Sequence, residues 1–239
     1  MGNSVTIPDQ IALDGGIRVR LRRVARARRM VLRVSRSDGA VTLSLPARAT
    51  LAQARAFLDS RADWLARTVA AMPGPALVAH GAQLPVAGQV LTVTPAPVRL
   101  VGVQGAALLV PASRPAGPLV QAWLKHRAHD RLCQACDGFA LRLGRRVTAI
   151  SLRDTRSRWG SCTHDGRLMF SWRLAMAPPP VLDYVAAHEV AHLAHMDHSP
   201  AFWSQVETLM PGHAPHRAWL RRHGADLLRW RFRGDGIAD

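Results

Sequence analysis

Apolar and polar residues alternate along the first part of the chain, from Ile17 to about Val110, in the two-residue period of half-buried strands. The run RVRLRRVARARRMVLRVSRSDGAVTLSLP keeps that alternation on both sides of Ser37-Asp38-Gly39, which predicts a hairpin turning there. One stretch departs from it. Leu51, Ala54, Phe57, Leu58, Leu65 and Val69 recur at spacings of three, four and seven and predict a helix, closed by Pro73-Gly74-Pro75. Short strands are expected again at Val90 to Thr94 and Ala107 to Val110, with prolines between them.

Beyond Pro111 the period lengthens. Leu119 to Leu143 predicts a long helix stopped by Gly144, and Val147 to Arg153 and Leu168 to Leu174 predict strands. Pro178-Pro179-Pro180 leads into an apolar helix over Val181 to His195, and a last helix is expected from Pro200 to Met210. The order helix, strand, strand, helix, helix predicts an α+β domain with helices covering one side of a mixed sheet. The expected division is a β-rich region with one helix over 1–112 and the larger domain over 113–239.

Composition narrows the class. Of 239 residues 48% are hydrophobic and 20% charged, which excludes wholesale disorder. Lys+Arg 32 against Asp+Glu 16 leaves a formal charge of +16, nearly all of it arginine, with Lys125 the single lysine. Such a surface attracts polyanions, so weak, salt-dependent nucleic-acid binding is an expectation. No helix-turn-helix, zinc-finger or RNP signature accompanies it. Three cysteines make no disulfide framework, and the start MGNSVTIPDQ reads as no secretory signal. No stretch has the length and apolarity of a membrane span. A reducing cytoplasm is the expected location.

The chemistry concentrates in His188-Glu189-Val190-Ala191-His192. Helical residues four apart sit about 40° from each other around the axis and one turn along it. Two imidazoles there can close on one metal ion, with Glu189 beside them as the general base on a metal-activated water. The ligand type suits a single catalytic Zn²⁺. The bland reading is a pair of helix histidines with ordinary hydrogen bonds; the apolar flanks Val185, Ala186, Ala187 and Leu193 argue for a buried helix instead.

Two residues compete to be the third ligand. On a continuous helix His195 lies about 10 Å along the axis from His188, out of reach. Ser199-Pro200, however, is a helix start, with serine as N-cap and proline in the first turn. The chain must therefore reverse between His195 and Pro200, which favours His198 as the ligand. His195 would then cap the helix or contact substrate, and Asp197 would orient a ligand imidazole. Tyr184 precedes His188 by one turn, on the same face, and is a candidate oxyanion donor; the alternative is a packed tyrosine.

A second segment, Arg156-Ser157-Arg158-Trp159-Gly160-Ser161-Cys162, precedes the strand ending in Ser171-Trp172-Arg173-Leu174. RWGSC, that SWRL strand and DYVAAHEVAHLAHMDHSPAFW together resemble the YgjP-like family of metal-dependent hydrolases, relatives of SprT-type zinc metalloproteases. Upstream, RARRMVLRVSRSDGAVTLSLP, FLDSRADWL and HGAQLPVAGQVLTV resemble the family's amino-terminal segments in order. The resemblance implies a zincin-like catalytic domain, with zinc on His188, His192 and His198 and Glu189 catalytic. It also implies that the strand Leu168 to Leu174 borders the cleft with a free edge for an extended peptide. Arg156, Arg158, Trp159, Trp172 and Arg173 are the candidate substrate-binding residues.

The expected function is a zinc-dependent metallopeptidase acting on a peptide or protein. A YgjP-type relative is associated with hydrolysis of a nucleoside triphosphate, and Arg153, Arg156, Arg158 and Arg173 could hold one, so UTP pyrophosphatase activity is the first alternative. A nucleic-acid-associated module acting on DNA-bound proteins, as in SprT-type relatives, is the second. Other candidates are weaker. His129, Cys133 and Cys136 share a helix face and read as buried thiols beside a histidine, Cys162 lacks an activating partner, and His213 and His216 read as exposed loop residues.

Overall fold

The computed structural model describes residues 8–35, 39–72 and 74–233. Ser37 and Asp38 of the expected turn, Pro73 and the amino-terminal start lie outside the described residues. The chain separates into two compact units, Met1–Pro75 and Ala76–Asp239.

The first unit is a four-stranded sheet carrying two helices. Its strands are β1 (Gln10–Ala12), β2 (Arg18–Val24), β3 (Val31–Val34) and β4 (Val41–Pro46), in the order β1-β2-β4-β3. The antiparallel β3–β4 pair is the expected hairpin, and β2 runs parallel to β4. Alternation puts Val19, Leu21, Val41, Leu43 and Leu45 on the buried face. There they meet Ala54 and Leu58 of α1 (Leu51–Asp59) and Leu65 of α2 (Ala62–Ala70). The single helix expected here is two. Thr50 and Gln53 form a capping box that starts α1, and Arg61, with φ −119° and ψ 5°, leaves the helical conformation between the two.

The second unit begins with β5 (Ala76–Leu77), then β6 (Gln83–Val86), β7 (Gln89–Ala96), β8 (Gly102–Gln104) and β9 (Ala107–Pro111), the last four forming a sheet ordered β6-β7-β9-β8. Leu84, Val86, Leu91, Val93, Leu108 and Val110 from these strands enter one core with Val120, Leu124 and Leu132 of α3 (Ala116–Leu143). That shared core is why the units part at Pro75 rather than at the boundary near 112 expected from the change in pattern.

A three-stranded sheet follows, of β10 (Ala149–Arg153), β11 (Gly160–Cys162) and β12 (Arg167–Ser171), in the order β10-β12-β11. Here β12 is central, parallel to β10 and antiparallel to β11. Helix α3 lies against β10, and α4 (Pro179–Ala191) against both α3 and β11. The strand expected to reach Leu174 ends at Ser171, and Trp172–Met176 forms a 3₁₀ turn. After α5 (Pro200–Leu209) comes α6 (Ala214–Leu228), a helix not anticipated from the Pro- and Gly-rich start of its segment, and then β13 (Trp230–Arg231) beside β5. The second unit is thus α+β, as the element order implied. Among the described residues no helix is long and apolar enough to cross a membrane.

Candidate metal centre

Helix α4 carries the centre because almost every side of it is apolar: Val181, Leu182, Val185, Ala186, Ala187, Val190 and Ala191 are all buried. Prolines at its first positions cost no hydrogen bond there. His188 and His192 fall one turn apart, with ring centroids at 5.0 Å. The helix stops at Ala191, four residues before the expected end. Leu193 and Ala194 donate to Val190 and Ala191, three residues back, which tightens the last turn.

This early stop permits the chain reversal. Ser199 caps α5, its Oγ accepting from the Phe202 amide at 3.4 Å, and Asp197 Oδ1 accepts from the Ser199 amide at 3.2 Å. His198 is thereby returned to α4, its Nε2 3.2 Å from Nε2 of His188. One nitrogen from each of His188, His192 and His198 lies within 4.8 Å of the other two, the sole such ligand group among the described residues. Phe202 forms the apolar floor, stacked on His192 at 4.4 Å and edge-on to His188 and His198.

The donor set fits a tetrahedral cation. Metal–nitrogen bonds of zinc imply nitrogens about 3.3 Å apart, and His188 and His198 stand at 3.2 Å. His192 Nδ1–H donates to the His195 carbonyl at 2.9 Å, leaving Nε2 as the ligating lone pair. The main chain of His195 therefore does the orienting expected of Asp197, whose carboxylate instead accepts from the Ser199 amide. Burial, reinforced by His192, His198, Arg217 and His213, lowers the His188 pKa to about 3, and burial lowers that of His192 as well. Both rings are therefore neutral, the form that binds metal.

Glu189 is only 5% exposed. Burial raises its pKa to about 8, opposed by the charge of Arg158. Gly160 of β11 makes room for it, with Glu189 Oε1 lying where a Cβ would stand. Tyr184 is buried too, its ring 6.0 Å from that of His188, and burial raises its pKa so that it stays protonated. Its hydroxyl forms no hydrogen bond to a described residue.

The remaining candidates separate. Arg156 and Arg158 are exposed, and Trp159 is half-buried against Gly224 of α6. Trp172 and Arg173 are corrections. Trp172 is 1% exposed and packs edge-on to Phe232 at 5.0 Å. Arg173, 6% exposed, bonds Asp154 at 2.6 and 3.2 Å and the carbonyls of Leu227 and Trp230, both at 2.9 Å. Neither side chain can meet a substrate, because the 3₁₀ turn directs both into the core. β12 likewise has no free edge: β10 and β11 occupy both sides, and the outer edge beside Glu189 belongs to β11.

His213 overturns its reading as an exposed loop residue. It is 9% exposed and lies among Tyr184, Trp203 and Glu207, none of which sequence spacing connects to it. The cysteines stay thiols. Burial, with Glu189 and Asp165, raises Cys162 to about 11, and burial raises Cys133 and Cys136 also.

Three convergent imidazoles, a buried glutamate next in sequence to one of them and a bordering edge strand form a candidate metal centre. A family model described as YgjP-like, metallopeptidase domain, matches residues 28–223. The chain belongs to the YgjP-like family. No curated protein matches it in sequence. Among solved structures, the metallopeptidase zymogen of Pyrococcus abyssi abylysin aligns with 41% of this chain and 92% of its own, at 22% identity and a TM-score of 0.33.

Proposed function

We propose that the protein is a zinc-dependent peptidase in which His188, His192 and His198 hold one zinc ion and Glu189 is the general base. The convergence of three imidazoles next to a buried carboxylate carries this reading. A bound zinc ion supplies Lewis acidity, making water nucleophilic near neutral pH and polarising the scissile carbonyl.

The chain's own residues do the rest. An extended substrate adds to the outer edge of β11, beside Glu189. Glu189 takes the proton of the attacking water. Burial raises the affinity of its carboxylate for a proton, and a dication held beside it would favour the ionised form that can take one and pass it to the leaving amine. The Tyr184 hydroxyl donates to the carbonyl oxygen as charge gathers there. Arg158, exposed and near enough to oppose the protonation of Glu189, is at hand for the substrate.

Peptide is favoured over nucleoside triphosphate because Arg173, one of the four arginines that could hold a triphosphate, is spent on Asp154 and two main-chain carbonyls. The cysteine usage fits a reducing cytoplasm. The test compares zinc-loaded wild type and Glu189→Gln on casein, with zinc measured by elemental analysis. Wild type should release peptides while the variant keeps zinc and releases none. A zinc-loaded variant with full turnover overturns the base assignment.

A further inference from the structure

Strand β3 ends its sheet and is paired with β4 on one side only. The Ser35 amide donates to the Ala40 carbonyl at 2.9 Å, so these two residues form a hydrogen-bonded pair, and antiparallel pairing alternates from there. Val31 and Arg33, opposite Ser44 and Thr42, therefore turn their main-chain groups toward β4, and those of Leu32 and Val34 face outward. Neither outward N–H has a partner among the described residues. An edge of this kind is a template for one more strand.

The same edge is one wall of a groove of about 510 Å³, made by the chain from Arg29 to Leu32. Phe57 of α1, Arg61 at the bend and Trp64 of α2 make the other wall. Trp64 is 44% exposed and Val31 41%, so apolar surface lies open on both sides. Arg28, Arg29, Arg33 and Arg61 are exposed around it, and among the described residues none of them forms an ion pair, not even with Asp59 or Asp63 of the neighbouring helices. Residues 1–75 carry thirteen arginines against five aspartates, with no lysine or glutamate. That charge repels a second copy of the same edge and attracts an acidic strand. A single-stranded nucleic acid could use the arginines and the aromatic rings, but it leaves the main-chain groups of Leu32 and Val34 unpaired, which a peptide strand does not.

We propose that this groove binds an extended, acidic segment of a protein partner as a fifth strand on the free edge of β3. Leu32 and Val34 pack toward the helices, on the side where Phe57 stands, so alternate side chains of the added strand enter the groove against Phe57 and Trp64. The side chains between them fall on the opposite face with Arg33, and Arg29 and Arg61 line the groove itself. The fitting segment therefore alternates apolar residues with carboxylates. Binding here is independent of the zinc chemistry above and requires no cleavage of the bound segment.

The test measures fluorescence anisotropy of a labelled peptide, Glu-Phe-Glu-Val-Glu-Val-Glu, on the full chain carrying Glu189→Gln, so that turnover by Glu189 cannot consume the probe. The acidic peptide should bind saturably and its counterpart with Lys for Glu should not. Trp64→Ala should weaken binding on the order of 10-fold or more. Arg29→Glu combined with Arg61→Glu should weaken it on a similar scale, and added salt should weaken it in the parent chain. Thermal melts show whether each variant keeps its fold. A second measurement leaves the protein unaltered: N-methylation of either the Glu residues or the apolar residues of the probe removes the N–H groups along one of its edges. One of these two probes should lose binding and the other keep it, because only one edge faces β3. Equal binding of both, or binding indifferent to the Trp64 and arginine variants, overturns the assignment. An oligothymidylate that binds more tightly than the peptide and is weakened by the same variants would make the groove a nucleic-acid site instead. Self-association of the chain that Trp64→Ala abolishes would assign it to a second copy.

Discussion

Glu189 fills the space in which Gly160 would carry a side chain: a Cβ there would stand 2.5 Å from Oε1, 2.6 Å from Cγ and 2.7 Å from Cδ. The glycine of the RWGSC segment is thus required by a helix residue almost thirty positions later. Gly160 has no positive φ, so the constraint is steric rather than conformational. Gly160→Ala should push the carboxylate off its position while leaving the three imidazoles in place. Zinc content should stay near wild type and casein hydrolysis fall by about 10²-fold, the scale of a displacement of an ångström at a reacting group. Normal hydrolysis in a folded Gly160→Ala protein would place the base elsewhere.

His198 and His195 are three residues apart and play unlike parts. His198 contributes a ring nitrogen and His195 a main-chain carbonyl. His198→Ala should therefore weaken zinc binding by more than about 100-fold, beyond what loss of an orienting partner costs. His195→Ala keeps its carbonyl and should bind as wild type does. Competition against a chromogenic chelator measures both, and equal affinities for the two variants would remove His198 from the ligand set.

Arg173 ties the 3₁₀ turn after β12 to the carboxyl end of α6 and to Asp154. Removing the guanidinium leaves two carbonyls without their donor inside the protein. Arg173→Ala should cost about 3 kcal/mol, a fall in Tm of roughly 6–12 °C for a domain of this size. Arg173→Lys should recover little, because an ammonium cannot reproduce the fork. A thermal melt of each variant decides, and an unshifted Tm would return Arg173 to the substrate-binding candidates.

Much of this centre is legible in the sequence because local rules govern it. The four-residue spacing fixes the His188–His192 pair, and Ser199-Pro200 announces the new helix that swings His198 back. What escapes notice depends on distant partners. Pro211-Gly212-His213-Ala214-Pro215 has the composition of an exposed loop, yet His213 is buried by Tyr184 and Trp203 and begins α6. The signal available for that helix was the spacing of Leu220, Gly224 and Leu227, all buried. Arg173 reads as a surface charge until Asp154, nineteen positions earlier, is seen against it. Trp172 to Leu174 continue the apolar alternation of β12, so only the packing of the turn reveals where the strand stops.

The metal-stripped protein should have a stability plateau bounded by two residues that are neighbours in sequence. His188 has its folded pKa depressed from 6.5 to about 3, so on acidification the unfolded chain takes up this proton first. Its contribution is present above pH 6.5 and is lost as pH falls toward 3. Glu189 is shifted the other way, from 4.5 up to about 8. The unfolded chain releases that proton first, so the contribution of Glu189 is present below pH 4.5 and is lost as pH rises toward 8. Between 4.5 and 6.5 the two slopes oppose each other. Exposed Asp165, Asp197 and Glu207, each with a lowered pKa, add to the acid limb, which makes the alkaline limb the more specific measure. Urea melts in the presence of a chelator should show the midpoint falling between pH 6.5 and 8 in wild type. The same melts should show no such fall in Glu189→Gln, which has no proton to release there. A decline of equal size in both proteins would mean that Glu189 is already ionised at neutral pH in the absence of metal.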